Sequence, residues 1–297
     1  MASVAFVGLG HMGLPMAKNL VKAGHEVHGF DVSTAPVQSL AAAGGVGEVS
    51  IGKTVADAEV VISMLPEGRH VRSVYLDQGG VFACAPQGAL LIDCSTIDVE
   101  TARTVSAAAA ARGFSMVDAP VSGGVAGAEG AALTFMVGGK EDAFARAQPF
   151  LAHMGKAVIH AGPAGNGQAA KICNNMMLGI QMISVCEALA LGRRLGLAPE
   201  RLFEISAKAS GQCWSLTSYC PVPGPVPSSP ANRGYQPGFT AAMMRKDLKL
   251  AQAAAQSVAA ITPLGAGAYQ LFNLFTAGGN EGLDFSAIIK MMDGESG

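Results

Sequence analysis

The chain has 297 residues, half of them apolar and 14% charged, with 20 basic and 22 acidic side chains for a formal net charge of −2. That length predicts two domains with enough apolar material for sizeable cores. The balanced charge excludes the basic footprint of a nucleic-acid or anionic-membrane binder. Six cysteines (Cys84, Cys94, Cys173, Cys186, Cys213 and Cys220) make no CxxC pair and no metal-ligand spacing with the six histidines. No metal site is therefore expected, and buried free thiols in a reducing compartment are. The most apolar window, Met176–Leu191, is broken by Gln181 and Glu187 and is shorter than a bilayer span. Strand character starting at Val4 leaves no room for a targeting peptide, so a soluble cytoplasmic protein is expected.

In chain order, Val4–Val7 reads as a buried strand that runs into Gly8-Leu9-Gly10-His11-Met12-Gly13, and Leu14–Ala23 reads as a helix. Strand, three spaced glycines and helix form the dinucleotide fingerprint in its proper context. Gly8 permits the tight turn, Gly10 lets a pyrophosphate approach the backbone, and Gly13 lets helix and strand pack closely. The helix N-terminus offers free N–H groups to the phosphates. A second strand, Glu26–Phe30, ends in Asp31, 18 residues beyond Gly13. An acid there accepts from adenosine ribose hydroxyls and repels a 2′-phosphate, and Val32, Ser33 and Thr34 supply no arginine to welcome one. NAD is expected over NADP.

Further apolar runs recur at Val60–Leu65, Leu90–Cys94, Ser115–Asp118, Leu133–Val137 and Ala157–His160, with helical stretches such as Thr101–Arg112 and Glu141–Met154 between several of them. The alternation predicts a doubly wound, mostly parallel sheet, in which ligands bind beyond the carboxyl ends of the strands. Two such ends carry polar or turn residues, Met64-Leu65-Pro66-Glu67 and Asp93-Cys94-Ser95-Thr96. Each suits a ligand contact or a capped strand–helix junction equally well. A third, Asp118-Ala-Pro-Val-Ser122-Gly123-Gly124, can present a hydroxyl and backbone N–H groups to an anion such as a carboxylate. A plain proline–glycine turn is the other reading of it.

Gly165–Gly192 then reads as one long helix joining an α/β half to a helical half. Its surface is apolar nearly all round, which argues burial, with Ile172, Met176, Ile180, Ile183 and Leu189 at helical spacing. Into it the sequence sets Lys171 and, one turn on, Asn175, which share a face. A lysine in a dry apolar setting loses proton affinity and becomes usable as an acid or base near neutral pH. The alternative is a lysine that snorkels to solvent beside polar asparagines.

Beyond it, Pro199–Ala209, Thr240–Ala259, Pro263–Ala277 and Phe285–Met292 read as helices. Between them Tyr219–Pro237 holds six of the fifteen prolines, too many for a helix or an inner strand. It follows Trp214, the single tryptophan, and reads as a stiff wall over a pocket rather than a linker. Arg245-Lys246-Asp247-Leu248 opens an Ala/Leu-rich helix as a charged cluster, by default a solvated face.

These motifs together resemble the 3-hydroxyisobutyrate dehydrogenase family of β-hydroxyacid dehydrogenases, in family order and over essentially the whole chain. Phe6–Asn19 resembles its N-terminal signature, Asp118–Gly124 its substrate-carboxylate loop, Gly167-Gln-Ala-Ala-Lys171-Ile-Cys-Asn-Asn175 its catalytic helix, and Lys246-Asp247-Leu248 its cofactor-side motif. Gly211–Trp214 through Tyr219–Gly224 resembles the 3-hydroxyisobutyrate enzymes more than the related tartronate semialdehyde reductases. The resemblance implies NAD-dependent oxidation of (S)-3-hydroxyisobutyrate to methylmalonate semialdehyde, a step of valine breakdown. It implies Lys171 as the catalytic residue, and Leu65, Pro66, Thr96 and Lys246 as cofactor contacts with Met64 beside them. One position departs from the family: His70 stands where an asparagine contact is usual.

The expected substrate contacts are Ser122, Gly123, Gly124 and Asn175 on the polar side, with Trp214 and Phe239 against the substrate's methyl group. The expected fold is α/β: a Rossmann domain over residues 1–162, an interdomain helix over 163–194 carrying Lys171, and an all-α substrate and oligomerisation domain over 195–297. Partner subunits are a natural place for the apolar faces of the helical half, and the family resemblance implies a homodimer or homotetramer. Two other readings stand beside this one. The first is a related dehydrogenase acting on L-serine or tartronate semialdehyde; the second is a non-catalytic NAD-sensing protein on the same fold.

Overall fold

The computed structural model describes residues 1–294 and divides into two compact units, Met1–Lys171 and Ile172–Gly297. In the first unit the elements run β1 (Ser3–Val7), α1 (Gly13–Lys22), β2 (Glu26–Phe30), α2 (Thr34–Ala41), β3 (Val46–Gly47), α3 (Ile51–Val55), β4 (Val60–Ser63), α4 (Gly68–Leu76), α5 (Val81–Cys84), β5 (Leu90–Asp93) and α6 (Val99–Ala111). There follow β6 (Ser115–Asp118), β7 (Val121–Ser122), α7 (Gly124–Glu129), β8 (Leu133–Gly139), α8 (Glu141–Ala152) and β9 (Gly155–Gly162). The sheet order is β3-β2-β1-β4-β5-β6-β8-β7, with β9 paired to β8. β3 through β6 are all parallel, β8 runs antiparallel to both β6 and β7, and β9 is parallel to β8.

The inner strands are apolar on both sides because both sheet faces are covered. Val4, Phe6, Val60, Ile62, Leu90, Ile92 and Val117 feed one core, while Ala5, Val61, Leu91 and Met116 feed the other. Successive side chains point to opposite faces, so a continuous apolar run is what a doubly covered strand requires. Two predicted strands end earlier than expected. β4 stops at Ser63 and β5 at Asp93, which leaves Met64–Pro66 and Cys94–Thr96 as loops beyond the carboxyl edge.

The second unit holds most of α9 (Asn166–Arg194), then α10 (Pro199–Ser206), α11 (Trp214–Thr217), α12 (Ala241–Ser257), α13 (Pro263–Phe275) and α14 (Ile289–Asp293). Its core gathers Met182, Cys186 and Leu189 of α9, Met244 and Leu248 of α12, Phe272 and Phe275 of α13, and Phe285 and Ile288. Gly179 lets α12 close onto α9, since a Cβ there would meet Leu248 Cδ2 at 3.0 Å. Two predicted segments differ in detail. Phe285–Met292 divides into a 3₁₀ turn, Phe285–Ile288, followed by α14, and the proline-rich stretch contains a short 3₁₀ turn, Pro230–Arg233. Pro230 starts that turn, where its missing N–H costs nothing.

The proline-rich stretch is fixed by its own polar contacts. Ser229 Oγ donates to the Cys220 carbonyl at 2.6 Å, Tyr235 OH to the Pro221 carbonyl at 2.9 Å, and Asn232 Nδ2 to the Val226 carbonyl at 2.8 Å. The long helix also differs from expectation in two respects. It is not covered all round, because Met177 and Leu191 are more than half exposed. At 29 residues it is long and apolar enough to cross a membrane by length and composition, although half of its most apolar stretch is buried within the protein.

Candidate active site

The turn between β1 and α1 is built by backbone contact. Gly8 has φ +94°, and a Cβ on it would lie 2.3 Å from the Met64 carbonyl oxygen. A Cβ on Gly13 would lie 1.9 Å from the Gly8 carbonyl oxygen, so helix and turn touch main chain to main chain. At Gly10 nothing lies within 4 Å of where a Cβ would stand. The first and third glycines are thus required by close packing, and the middle one faces free space. That is the room a pyrophosphate needs to approach the N–H groups opening α1. His11 is exposed, Met12 half-buried, and Leu9 buried. Leu9 N donates to Asp31 Oδ2 at 2.7 Å and Ser33 N to Asp31 Oδ1 at 2.8 Å. Each carboxylate oxygen keeps a lone pair, so Asp31 is held in place and can still accept from a ribose hydroxyl. These residues fit a dinucleotide.

Along the carboxyl edge the next two strand ends are joined by a buried polar network. Ser63 Oγ donates to Asp93 Oδ1 at 2.8 Å and meets Tyr75 OH at 2.9 Å. Ser95 Oγ donates to Asp93 Oδ1 at 2.6 Å and accepts from Leu65 N at 2.8 Å. Burial pushes the Asp93 carboxyl up, while its bonds from Ser95 and Ser63 pull it down. The loop bearing Met64, Leu65 and Pro66 and the loop bearing Thr96 are therefore tied to one carboxyl group. His70 lies at the start of α4, where its Nδ1 is buried with no hydrogen-bond partner.

Asp118 closes β6 and is register partner to Asp93 on β5. Its Oδ1 accepts from Gly165 N at 2.7 Å and its Oδ2 from Gln168 N at 2.9 Å. The carboxylate thus satisfies N–H groups at the start of α9 that have no partner within the helix. Contact is close enough to require glycine, since a Cβ on Gly167 would meet the Met136 carbonyl at 2.4 Å and Asp118 Oδ2 at 2.7 Å. Lys171 follows one turn later and is 7% exposed. Burial pushes the Asp118 carboxyl up to about 6, and the two backbone bonds oppose it.

The expected carboxylate loop lies on the same unit. Ser122 pairs with Thr134 across β7 and β8. Gly123 and Gly124 follow with φ +139° and +62°, conformations that favour glycine. The helix they open, α7, is tied to α1 by Asn19 Nδ2 donating to the Ala128 carbonyl at 2.7 Å.

In the helical unit Asn175 is buried, and its Nδ2 donates to Asp247 Oδ2 at 2.5 Å. Asn174 Nδ2 donates to Asn175 Oδ1 at 3.0 Å, which fixes the orientation of the Asn175 amide. Lys246 Nζ stands 4.0 Å from Asp247 Oδ1, and Asp247 itself is buried. Trp214, about half exposed, stacks on Tyr219, which stacks on Phe285, and Phe239 meets Phe285 edge-on. The two aromatic residues expected against the substrate therefore belong to one cluster. Asp284 holds that cluster: its Oδ2 accepts from Tyr219 OH at 2.8 Å, Gly238 N at 3.0 Å and Phe239 N at 3.2 Å. Burial and this carboxylate push the Tyr219 hydroxyl well above its ordinary value. Among the described residues no cluster of three or more His, Cys, Asp or Glu side chains could hold a metal.

Comparison with known proteins places this chain in a family. Residues 3–162 match the model of the NAD binding domain of 6-phosphogluconate dehydrogenase, and residues 165–292 that of the NAD-binding domain of NADP-dependent 3-hydroxyisobutyrate dehydrogenase. A Pseudomonas aeruginosa 3-hydroxyisobutyrate dehydrogenase is 52% identical, over 99% of this chain and 100% of its own. The chain belongs to the 3-hydroxyisobutyrate dehydrogenase family. It is an NAD-dependent oxidoreductase. The NAD-dependent L-serine dehydrogenase of the same species is 48% identical over the whole of both chains. A solved structure described as Mycobacterium tuberculosis 3-hydroxyisobutyrate dehydrogenase with L-serine superposes with a TM-score of 0.94 at 49% identity, covering 98% of this chain and 99% of that one.

Three members of the site escaped the sequence reading: the Asp93–Ser95 pair as a tie between loops, Gln168, and Asp284. Only the last has a local signal, as the acid just before the Phe285 turn.

The Asp118 carboxyl makes stability depend on pH in a particular direction. Its folded-state affinity for a proton is raised, so the folded chain keeps a proton that the unfolded chain releases between about pH 4 and pH 6. Its contribution is fully present below about pH 4 and is lost as pH rises through about 6. Urea unfolding at pH 4 to 7 should show the wild-type chain losing stability relative to Asp118→Asn across that window and running parallel to it above. A constant difference across the range would contradict the assignment.

Proposed function

We propose that the protein oxidises (S)-3-hydroxyisobutyrate to methylmalonate semialdehyde with NAD, as a cytoplasmic step of valine breakdown, and that Lys171 is the general base. The observation that carries this reading is a buried lysine one turn into a helix whose N-terminus is bonded to the carboxyl edge of a dinucleotide-binding sheet. Bound NAD supplies the hydride acceptor. Gly8, Leu9, Gly10, His11, Met12 and Gly13 hold the pyrophosphate, Asp31 the adenosine ribose, and Met64, Leu65, Pro66, Thr96 and Lys246 the nicotinamide half. Ser122 Oγ and the N–H groups of Gly123 and Gly124 receive the substrate carboxylate. Lys171, in its neutral form, takes the hydroxyl proton as hydride leaves the same carbon. Asn175 orients the substrate's oxygen, and Trp214 and Phe239 pack on its methyl group. The working division remains a cofactor domain over 1–162, the base-bearing helix over 163–194 and a substrate and assembly domain over 195–297.

The 48% identity to an L-serine dehydrogenase supports a second reading, oxidation of L-serine, with reduction of tartronate semialdehyde beside it. These substrates differ from 3-hydroxyisobutyrate at the α-carbon, where serine carries an ammonium in place of the methyl. Asp247, the acid beside Asn175, is already engaged by that amide and faces Lys246, which leaves methyl as the better fit.

Reduced-nicotinamide absorbance with 3-hydroxyisobutyrate, L-serine, 3-hydroxypropionate and glycerate, each with NAD and NADP, tests substrate and cofactor together. The highest kcat/KM is expected for 3-hydroxyisobutyrate with NAD. A tenfold advantage for L-serine would move the assignment to the second reading, and equal rates with NADP would remove the role given to Asp31. Lys171→Ala should lower kcat by ~10²–10⁴-fold, the usual contribution of general acid–base catalysis, while NAD still binds. Turnover within threefold of wild type would remove the base.

Leu191, Leu195, Ile205, Val258, Ile261, Leu264 and Leu274 are large apolar side chains exposed on the helical unit. They support assembly into a homodimer or homotetramer. Sedimentation at micromolar concentration should give such a species, and a monomer there would refute it.

A further inference from the structure

We propose that Gln168 is a positioning residue that fixes the Ser95–Ile97 loop to the helical turn bearing Lys171. The proposal rests on Lys171 being the base and adds what holds it in register with the cofactor side. Gln168 is fully buried. Its Oε1 accepts from Ile97 N at 3.1 Å, and its Nε2 donates to the Ser95 carbonyl at 2.8 Å. One amide thus grips the chain on both sides of Thr96, while its own backbone N–H donates to Asp118. Lys171 lies three residues further along the helix, on the neighbouring surface. Ser95 passes the connection on, since its Oγ bonds both Asp93 and Leu65 N. A single side chain therefore connects the base-bearing turn to both strand-end loops assigned to the nicotinamide half.

The chemistry of the position is restrictive. Only a side-chain amide offers a donor and an acceptor side by side at this reach. Ionised glutamate has no donor for the Ser95 carbonyl, asparagine is one methylene short, and methionine has neither group. A purely architectural role would make Gln168 a matter of stability alone. A positioning role makes it a matter of turnover, because an error of about 1 Å between reacting groups can cost on the order of 10²-fold.

Gln168→Met should fold, bind NAD within threefold of wild type by titration calorimetry, and lose at least tenfold in kcat with little change in substrate KM. In a Lys171→Ala background the same change should cost less than a further threefold, since no base is left to misplace. Gln168→Glu supplies a readout that stability does not produce. Its carboxyl, buried against the Ser95 carbonyl, regains the missing donor on protonation, so its kcat relative to wild type should rise as pH falls. Wild-type kcat in folded Gln168→Met, or losses that multiply in the Lys171→Ala background, would overturn the proposal. Should Gln168→Met not fold, a Gln168→Glu to wild-type ratio flat with pH would overturn it. Failure of the base assignment is read separately, from Lys171→Ala alone.

Discussion

The site depends on a carboxylate meeting a helix end. Asp118 receives the Gly165 and Gln168 N–H groups, and that pair of bonds sets where α9 starts, and with it the depth and direction of the first turn. The start of a helix carries partial positive charge and unpartnered donors, so an acid there satisfies both at once. The two bonds offset a desolvation that raises the proton affinity of the group, and desolvation remains the larger effect. A buried carboxyl on those terms is a costly way to join two elements. It is directional, however, in a manner that apolar packing is not, and it sets the orientation of the helical turn that carries Lys171.

Asp93 repeats the device one strand over. Its register partner is Asp118, yet the two acids do different work: one collects hydroxyls from Ser63 and Ser95, the other main-chain donors from α9. Gln168 joins the two networks through the Ser95 carbonyl. The carboxyl edge of the sheet is thereby a connected polar layer from the β4 loop to the long helix, laid over an apolar interior. Hydrogen bonds in such a buried layer are strengthened by the low local dielectric, and any member left unpaired would be expensive.

The fold was legible in the sequence where local rules suffice. Continuous apolar runs announced strands covered on both faces, and the proline-dense stretch excluded regular helix. The glycine fingerprint was legible because part of it is local: Gly13 packs against the Gly8 carbonyl five residues earlier, whereas the contact that fixes Gly8, with the Met64 carbonyl, was not legible. Short elements were not read, among them the five-residue helix α3 and the two-residue strands β3 and β7, because their periodicity is too brief to register. The supporting side chains were hidden by distance along the chain. Gln168 binds partners 71 and 73 residues away, and Asp118 binds donors 47 and 50 residues away. A glutamine beside a candidate lysine looks like ordinary helix filler until the loop it grips is seen. The long helix misled in the opposite sense, since its apolar surface suggested full burial and the chain leaves Met177 and Leu191 uncovered.

The fingerprint glycines also divide their labour unequally. Two of them have main chain pressed against the space a side chain would fill, while the middle one looks onto open volume. Changes at the outer pair would be felt by the apoprotein itself, as misfit between strand, turn and helix. A methyl group added at Gly10 would meet no protein atom within 4 Å, and under the role proposed for Gly10 it would be felt only by a bound dinucleotide. Neighbouring positions in one short motif therefore separate two kinds of damage, one to the architecture and one to ligand capture alone, and the second would pass unnoticed in any assay of folding.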